Sequence, residues 1–262
     1  MTRPDDTDTG SGTATYVYGI VPADVETNPD VSGVGDPPGQ VTTVRHNDIA
    51  ALVSEVPVER PLGTPDDLQA HARLLDGSAA VTPVLPLRFG TVMTDHDAVT
   101  SELLAPHHDQ FRSTLDELEG HAQYVLRFRY VQDAIVNEIL DDSADAAALR
   151  ERIRDKPPEA TRTERIALGE LISHAVEAKR HADTAAVLGA IEPIAHAVTT
   201  RPPTDDYDAA HLAVLLDLAA EDDLEKTVDG LARQWADRTE VRVLGPMAAY
   251  DFVMTSAPTP EQ

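Results

Sequence analysis

The stretch TYVYGIV at residues 15–21 decides how the first half of the chain folds. Its residues are mostly β-branched or aromatic and Pro22 follows directly, which is typical of a β-strand that ends there. Two further apolar runs, 41–46 and 49–56, flank the dipeptide Asn47-Asp48, so they predict a β-hairpin. The chain therefore begins with strands that belong to one sheet.

Helical signals follow these strands. The sequence TPDD at 64–67 supplies a capping residue, a proline at the first helical position and acidic residues in the first turn, so it predicts a helix to about residue 78. The run VTPVLPLRFGTV at 81–92 is apolar but interrupted by two prolines, which confine it to an edge or bulged strand. Thr94 is predicted to cap a helix that runs, with a break near Pro106, to about residue 118.

The second half opens on an alternating segment. At 123–130 tyrosine, leucine and phenylalanine alternate with two arginines, which is the period of a half-buried strand. The later pattern predicts helices at 133–155, 161–198 and 222–238, and strands at 211–218 and 240–244. Strands and helices are mixed in both halves without regular alternation, so the sequence favours the α+β class over a doubly wound sheet.

The length predicts two domains. A chain of 262 residues exceeds the roughly 100–200 residues of one ordinary domain. We place an N-terminal α+β domain at 14–119 and a C-terminal α+β domain, with a long helix, at 120–256. The polar, aperiodic ends at 1–13 and 257–262 are predicted to be disordered tails.

The net charge of the chain indicates the ionic conditions to which the protein is adapted. Asp and Glu total 46 against 21 Lys and Arg, a formal net charge of −25, and only three of the basic residues are lysines. An Asp-rich, Lys-poor surface repels itself in dilute buffer and is screened at molar salt, so we interpret the composition as adaptation to high intracellular salt. The same charge argues against binding to nucleic acid, which requires a basic stripe.

Other features point to a cytoplasmic protein that does not insert into membranes. The chain has no cysteine, and it has neither an apolar leader nor an apolar run of about 18 residues, the length that a membrane span needs. These absences are compatible with the cytoplasm.

No motif predicts a catalytic, cofactor-binding or metal-binding residue. Glu170, His174, Glu177 and His181 share one helical face, but the apolar face lies opposite, so the stripe is expected to be solvated. Gly33-Val34-Gly35 begins like a dinucleotide-binding loop, but DPP follows where a helix should open. The sequence also contains neither a Walker lysine motif nor a nucleophile elbow. We therefore expect a protein that is not an enzyme.

Three segments together resemble the gas vesicle protein GvpL/GvpF family, in its haloarchaeal type: TYVYGIV at 15–21, VLPLRFGTV at 84–92 and VLGPMAAYDF at 243–252. The family usually closes on Gly-Pro-Trp-Pro-Pro-Tyr-Ser-Phe. Here Gly245, Pro246, Tyr250 and Phe252 match that pattern, whereas the three residues 247–249 and residue 251 do not.

The resemblance implies a fold and a role. It implies two units related to the ferredoxin-like fold, in a protein that assists gas vesicle assembly. Its partners would be the small hydrophobic shell protein and other gas vesicle accessory proteins during nucleation, and it could remain as a minor component of the vesicle. An alternative is a regulatory protein that binds a small molecule between ferredoxin-like units; it would have a polar pocket with convergent arginines or backbone donors.

The two segments that contain prolines are the predicted partner-binding edge. Proline removes donors from the strand ladder while apolar side chains stay available to pack, so an exposed edge there would suit an apolar partner. The predicted residues are Leu85, Leu87, Arg88, Phe89, Gly245, Pro246, Tyr250 and Phe252. The alternative is that Leu85, Leu87 and Phe89 are ordinary core residues.

The charge generates a testable prediction about salt. Lowering potassium chloride from molar to tens of millimolar lengthens the Debye length from roughly 3 Å toward 30 Å. We expect the unscreened carboxylates to broaden the unfolding transition and lower its midpoint, as followed by circular dichroism. A melting curve that is unchanged at low salt would contradict the interpretation as a salt-adapted protein.

Overall fold

The computed structural model describes residues 12–28, 31–59 and 61–253. Most of the two predicted tails therefore lies outside the described residues, although Thr13 already belongs to the first strand. The chain divides into two compact units. Among the described residues, unit 1 comprises those up to 123 together with 246–253, and unit 2 comprises residues 124–245. The described residues 246–253, which the sequence analysis places in the C-terminal domain, thus group with unit 1.

The described elements follow one another in mixed order. The strands are β1 Thr13–Pro22, β2 Thr42–His46, β3 Ile49–Pro57, β4 Leu85–Pro86, β5 Val92–Met93, β6 His121–Tyr130, β7 Ala197–Thr200, β8 Asp208–Asp217 and β9 Thr239–Met247. The helices are α1 Pro65–Ala79, α2 His96–Ala98, α3 His108–Leu118, α4 Gln132–Asp142, α5 Ala144–Ile153, α6 Arg162–Ile191, α7 Glu221–Gln234 and α8 Tyr250–Val253. Two sheets and a long helix in the second unit confirm the predicted α+β class.

The sheet of unit 1 is built around β1. Its strand order is β2-β3-β1-β4, and β5 also pairs with β1. β1 runs antiparallel to β3 along its whole length, from Thr13 opposite Pro57 to Pro22 opposite Ile49. The predicted strand and hairpin are confirmed, and Asn47 in the hairpin turn has a φ of 53°. Because β1 lies inside the sheet, all but its two terminal residues are buried.

Helix α1 begins where the sequence predicts. Thr64 caps it, the Thr64 side chain accepts from the Asp67 amide, and the Asp67 side chain accepts from the Thr64 amide, which completes a capping box. Gly35 and Gly63 also donate backbone N–H groups to the Asp67 carboxylate, at 3.0 and 3.2 Å. Asp67 therefore fixes the loop before β2 to the start of α1.

Unit 2 has the strand order β7-β8-β6-β9. Strand β6 shows the predicted alternation only in its second half, where Leu126, Phe128 and Tyr130 are buried and Arg129 is exposed; in its first half Gln123 and Val125 are buried as well as Tyr124. Helix α6 spans 30 residues, yet within the described part of the chain no helix is long and apolar enough to cross a membrane.

Three sequence predictions of secondary structure are corrected. The predicted helix 133–155 is two helices, because the side chain of Ser143 accepts from the Ala146 amide and starts α5. Asp95, rather than Thr94, caps the helix that begins at His96, with its carboxylate 2.8 Å from the Ala98 amide. The predicted helix 161–198 ends at Ile191, and the β-branched residues after it form β7, which pairs with β8.

A partly buried ionic network joins the helices of unit 2 to the start of β9. The Arg238 guanidinium donates to Glu138 at 2.7 Å and to Asp183 at 2.8 Å. It also lies 5.1 Å from the centroid of the Tyr130 ring, so the cation packs on an aromatic face. Lys179 binds the same Glu138 at 2.7 Å. The network holds α4, α6 and the end of β6 around one guanidinium.

Removing this guanidinium should destabilise the protein. We expect Arg238→Met to lower the free energy of unfolding by about 2–3 kcal/mol, because hydrogen bonds to charged groups contribute about 1.5–3 kcal/mol each. The stability of Arg238→Lys should lie between those of the wild type and Arg238→Met, because lysine keeps the positive charge but lacks the planar guanidinium group. Urea denaturation followed by circular dichroism measures the change.

The matched control is Arg233→Met, at an exposed position near the end of α7. It should change the free energy of unfolding by no more than about 0.5 kcal/mol. Equal losses in Arg238→Met and Arg233→Met would show that the network contributes nothing specific.

Candidate functional site

Two of the segments that carry the family resemblance meet in the core of unit 1. Strands β4 and β5, which hold parts of 84–92, both pair with β1. The Leu87 amide donates to the Tyr18 carbonyl at 2.9 Å, and the Val17 amide donates to the Thr91 carbonyl at 2.9 Å. The loop between the two short strands is therefore fastened to β1 at both ends.

A cluster of four rings fills the space between β1, α1 and this loop. Tyr16 and Tyr18 of β1 have ring centroids 4.8 Å apart, and the His71 ring of α1 stacks on Tyr18 at 5.7 Å. Phe89 packs edge-on against Tyr16 and His71, at 5.9 and 5.5 Å. Edge-to-face and offset packing at these distances is favourable for aromatic rings. The ring cluster is thus the centre at which the two segments and α1 come together.

Hydrogen bonds fix the orientation of the rings. The Tyr16 hydroxyl lies 2.9 Å from His71 Nδ1 and accepts from the Gly90 amide at 3.0 Å. It therefore donates to Nδ1, and the other ring nitrogen of His71 is left to bond the Leu87 backbone. These bonds satisfy both nitrogens of a neutral imidazole and tie it to the loop after β4.

The loop before β2 is held by the second tyrosine. The Val34 amide donates to the Tyr18 hydroxyl at 2.7 Å, and that hydroxyl lies 2.7 Å from Ser54 Oγ. A Cβ at Gly33 would lie 2.3 Å from the Tyr18 hydroxyl, so only glycine allows this approach. Gly33 of the GVG sequence thus serves the packing of this loop against Tyr18.

Burial sets the protonation states in the cluster. It lowers the pKa of His71 to about 4, against the opposing effect of the Leu87 backbone hydrogen bond. It also raises the pKa of the Tyr16 hydroxyl. At neutral pH the cluster is uncharged and its described polar atoms are engaged with one another, which is the arrangement of a structural core rather than of an acid-base site.

The closing segment of the resemblance also packs on unit 1. The Ala248 amide donates to the Asp76 carboxylate of α1 at 3.1 Å, and α8 lies against β4. Asp251 and Gln123 form a reciprocal pair, because the Asp251 amide donates to Gln123 Oε1 at 2.9 Å and Gln123 Nε2 donates to Asp251 at 2.6 Å. Ala248 is fully buried, so the segment that departs from the family pattern is nevertheless docked through its small residues.

The predicted partner-binding residues fall into two groups. Leu85 and Leu87 are only 4% exposed, which corrects the expectation of an exposed apolar edge at that point: their side chains pack in the core because β4 pairs with β1. Those that the solvent reaches fully or in part are Arg88, Phe89, Gly245, Pro246, Tyr250 and Phe252. A partner can reach only this second group without opening the unit.

An apolar edge does exist, at β9 of unit 2. β9 is the outermost strand of its sheet, and Val243 and Leu244 are 42% and 58% exposed. Both residues lie in the segment 243–252, which the sequence predicts as an exposed apolar edge, although neither is among the eight predicted contact residues, since the 240–244 pattern gives a strand without giving its place in the sheet. Strand order, rather than local sequence, decides that this edge is open.

A small cavity in unit 2 is lined by charged side chains. It measures about 180 Å³ and is lined by Arg127, Arg129, Asp205, Glu240 and Arg242. Arg127 donates to Asp208 at 2.8 Å and Arg129 to Asp205 at 3.2 Å. With Asp208 included, three carboxylates match the three guanidinium groups, so this cavity has no excess of positive charge for an anionic ligand. The stripe on α6 that contains His174 is exposed, and the described residues hold no cluster suited to a metal ion.

Comparison with known proteins gives the class. Gas vesicle protein F of Streptomyces sp. (strain CB03234) is 30% identical over 92% of this chain and 99% of its own length. Gas vesicle protein F of Dolichospermum flosaquae is 24% identical over 90% of this chain and 96% of its own length. The crystal structure of GvpF from Anabaena sp. PCC7120 has a TM-score of 0.75 at 23% identity, and covers 92% of this chain and 98% of that one. The fold and these relatives define a gas vesicle protein.

The family follows from the sequence profile. The profile described as Gas vesicle synthesis protein GvpL/GvpF matches residues 14–254, nearly all of the described chain. The chain therefore belongs to the GvpL/GvpF family, as the three segments predict. The relatives described above are named as gas vesicle proteins.

The buried imidazole generates a prediction about pH. The pKa of His71 is about 4 in the folded protein and about 6.5 when exposed, so the unfolded chain binds more protons between these values. Stability is complete above pH 6.5 and should fall by about 3 kcal/mol as the pH drops toward 4. Urea denaturation at a series of pH values measures this loss.

His71→Gln separates this effect from the titration of other groups. Glutamine offers an acceptor for Tyr16 and a donor for the Leu87 backbone but does not titrate, so its stability should vary less with pH over the same window. His181→Gln, at an exposed position of α6, should retain the wild-type slope. An identical slope in His71→Gln and the wild type would show that His71 does not carry the acid sensitivity.

Proposed function

We propose that this chain is a cytoplasmic accessory protein of gas vesicle assembly that binds the hydrophobic shell protein and other accessory proteins during nucleation, without catalysis. Membership of the GvpL/GvpF family supports the gas vesicle role. The observation that supports partner binding is the open, apolar edge of β9.

The physical argument starts from the strand edge. The outermost strand of a sheet presents unpaired N–H and C=O groups, so an extended segment of a partner can add to it as a further strand. Val243 and Leu244 are consecutive, so their side chains point to opposite faces of the sheet, and both are exposed. An added apolar strand would therefore find apolar contacts on both faces.

A strongly apolar shell subunit needs such an edge before it joins the growing shell. Edge pairing would shield its backbone and apolar side chains, and the acidic surface of the carrier would keep the complex in solution. Arg88 and Phe89 in unit 1 remain proposed as further contact residues, because the solvent reaches both of them.

We also propose that both units are related to the ferredoxin-like fold. In each sheet the spatial order is second, third, first and fourth strand of the unit, counting β1 to β4 in unit 1 and β6 to β9 in unit 2. Unit 2 has helices between its first and second strands and between its third and fourth strands, the βαββαβ order of that fold.

The edge is tested by placing charge on it. We expect Val243→Glu and Leu244→Glu each to weaken capture of purified shell protein at least tenfold, because a carboxylate would be desolvated on pairing. The melting temperature should stay within about 2 °C of the wild type, since both side chains are exposed. A pull-down with immobilised protein measures the capture.

Ile166→Glu is the matched control, because Ile166 is 52% exposed on α6 of the same unit. It should capture the shell protein as the wild type does. In a strain that lacks the gene, the control should restore cell buoyancy and light scattering, and the edge variants should not. Full capture and full buoyancy with both edge variants would remove β9 as the contact surface.

A further inference from the structure

Unit 1 has an open groove of about 1080 Å³ between α1 and the loop that joins β1 to β2. Its apolar lining includes Val25, Val31, Leu74 and Val81. Val81 is 83% exposed, which is the highest value among the exposed large apolar side chains of the described residues. The groove is thus an apolar surface that the described part of unit 1 leaves uncovered.

Comparison of the two units explains why the groove exists. Their sheets have the same strand order, but their first connections differ. In unit 2 the link from β6 to β7 contains α4, α5 and the 30-residue α6, and α6 packs on β8. In unit 1 the described residues between β1 and β2 form no helix, so this connection places none beside α1. The groove lies where unit 2 places a helix.

The wall that α1 contributes is shaped for a helix. Ala70, Leu74 and Gly77 follow one another at helical spacing, and Val81 continues the same face. A Cβ at Gly77 would have no atom within 4 Å, so packing within the protein does not require glycine there. A glycine inside a helix costs about 0.5–1 kcal/mol relative to alanine. What it provides is room for a second backbone to approach α1.

The charges around the groove indicate which kind of partner it can bind. Glu26, Asp36 and Asp66 line the groove, whereas its one described cation, Arg73, bonds the Gln69 side chain at 3.0 Å. Neither chain end is complementary: residues 1–11 carry three aspartates and one arginine, and residues 254–262 carry two prolines and no basic residue. A second copy, with a net charge of −25, would add repulsion. The complementary occupant is a basic helix from another protein.

We propose that this groove binds an amphipathic helix of a partner protein, with small and apolar side chains against α1 and with Lys or Arg at the acidic rim. Recognition of this kind uses anchors at i, i+3, i+4 and i+7. α1 has 15 residues and is roughly 22 Å long, so a partner helix of about four turns matches it. The interaction goes beyond the proposed function and does not depend on β9, which lies in the other sheet.

The test uses three labelled 15-residue peptides of defined sequence. The first has a Leu/Ala stripe at helical spacing and four lysines, the second replaces each lysine by glutamate, and the third scrambles the first so that the stripe is lost. Fluorescence anisotropy is measured with the full chain, at the lowest salt that keeps its native circular dichroism. We expect the first peptide to bind at least tenfold more tightly than either of the others.

Gly77→Leu fills the groove from the α1 side. It should keep the native melting temperature, because the space is open, and should weaken binding of the lysine peptide at least tenfold. Gly169→Leu on α6 also points into open space and should leave binding unchanged.

Four results would overturn the proposal. They are equal binding of the glutamate or the scrambled peptide, undiminished binding to Gly77→Leu, no saturable binding of the lysine peptide, and self-association of the chain that Gly77→Leu abolishes. The last result would identify a second copy as the occupant. None of these results bears on capture of the shell protein by β9, so the two proposals fail separately.

Discussion

The hydrogen bond between the Tyr16 hydroxyl and a neutral His71 is the interaction on which the rest of unit 1 depends. It joins β1 to α1 inside a ring cluster, and the Gly90 amide and the Leu87 backbone extend it into the segment after β4. Because the imidazole is buried there, its pKa is lowered to about 4 and it is uncharged at neutral pH. The segments that identify the family are therefore largely residues that build this core.

Unit 2 has the same strand order as unit 1 and contains, in addition to its apolar core, a partly buried ionic network in which Arg238 contacts Glu138, Asp183 and the Tyr130 ring. The two units also differ in what covers the sheet, since α6 has no helical counterpart among the described residues of unit 1. That difference accounts for the large groove beside α1, and the outer position of β9 accounts for the apolar edge of unit 2.

Local sequence predicted those elements whose signals are local. Three predictions depend only on residues that are close together in the sequence, and all three are confirmed: the strand β1, the hairpin around Asn47 and the capped start of α1. The predictions were wrong where a capping side chain or a residue distant in the sequence determines the secondary structure. Ser143 divides the predicted helix in two because its hydroxyl accepts the hydrogen bond of the Ala146 amide. Residues 197–200 form β7 instead of continuing the helix predicted from periodicity, because they pair with β8.

The sequence by itself determined the α+β class, the membership of the GvpL/GvpF family and the acidic surface, because composition, periodicity and short motifs are properties of the chain. Tertiary structure decided which apolar residues face solvent. Leu85 and Leu87 lie in an apolar segment that is interrupted by prolines, a pattern that would suit an exposed edge. Pairing of this segment with β1 nevertheless buries both side chains. Val243 and Leu244 remain exposed because β9 has a neighbour on one side only. Burial depends on what packs against a strand, and those neighbours come from distant parts of the sequence.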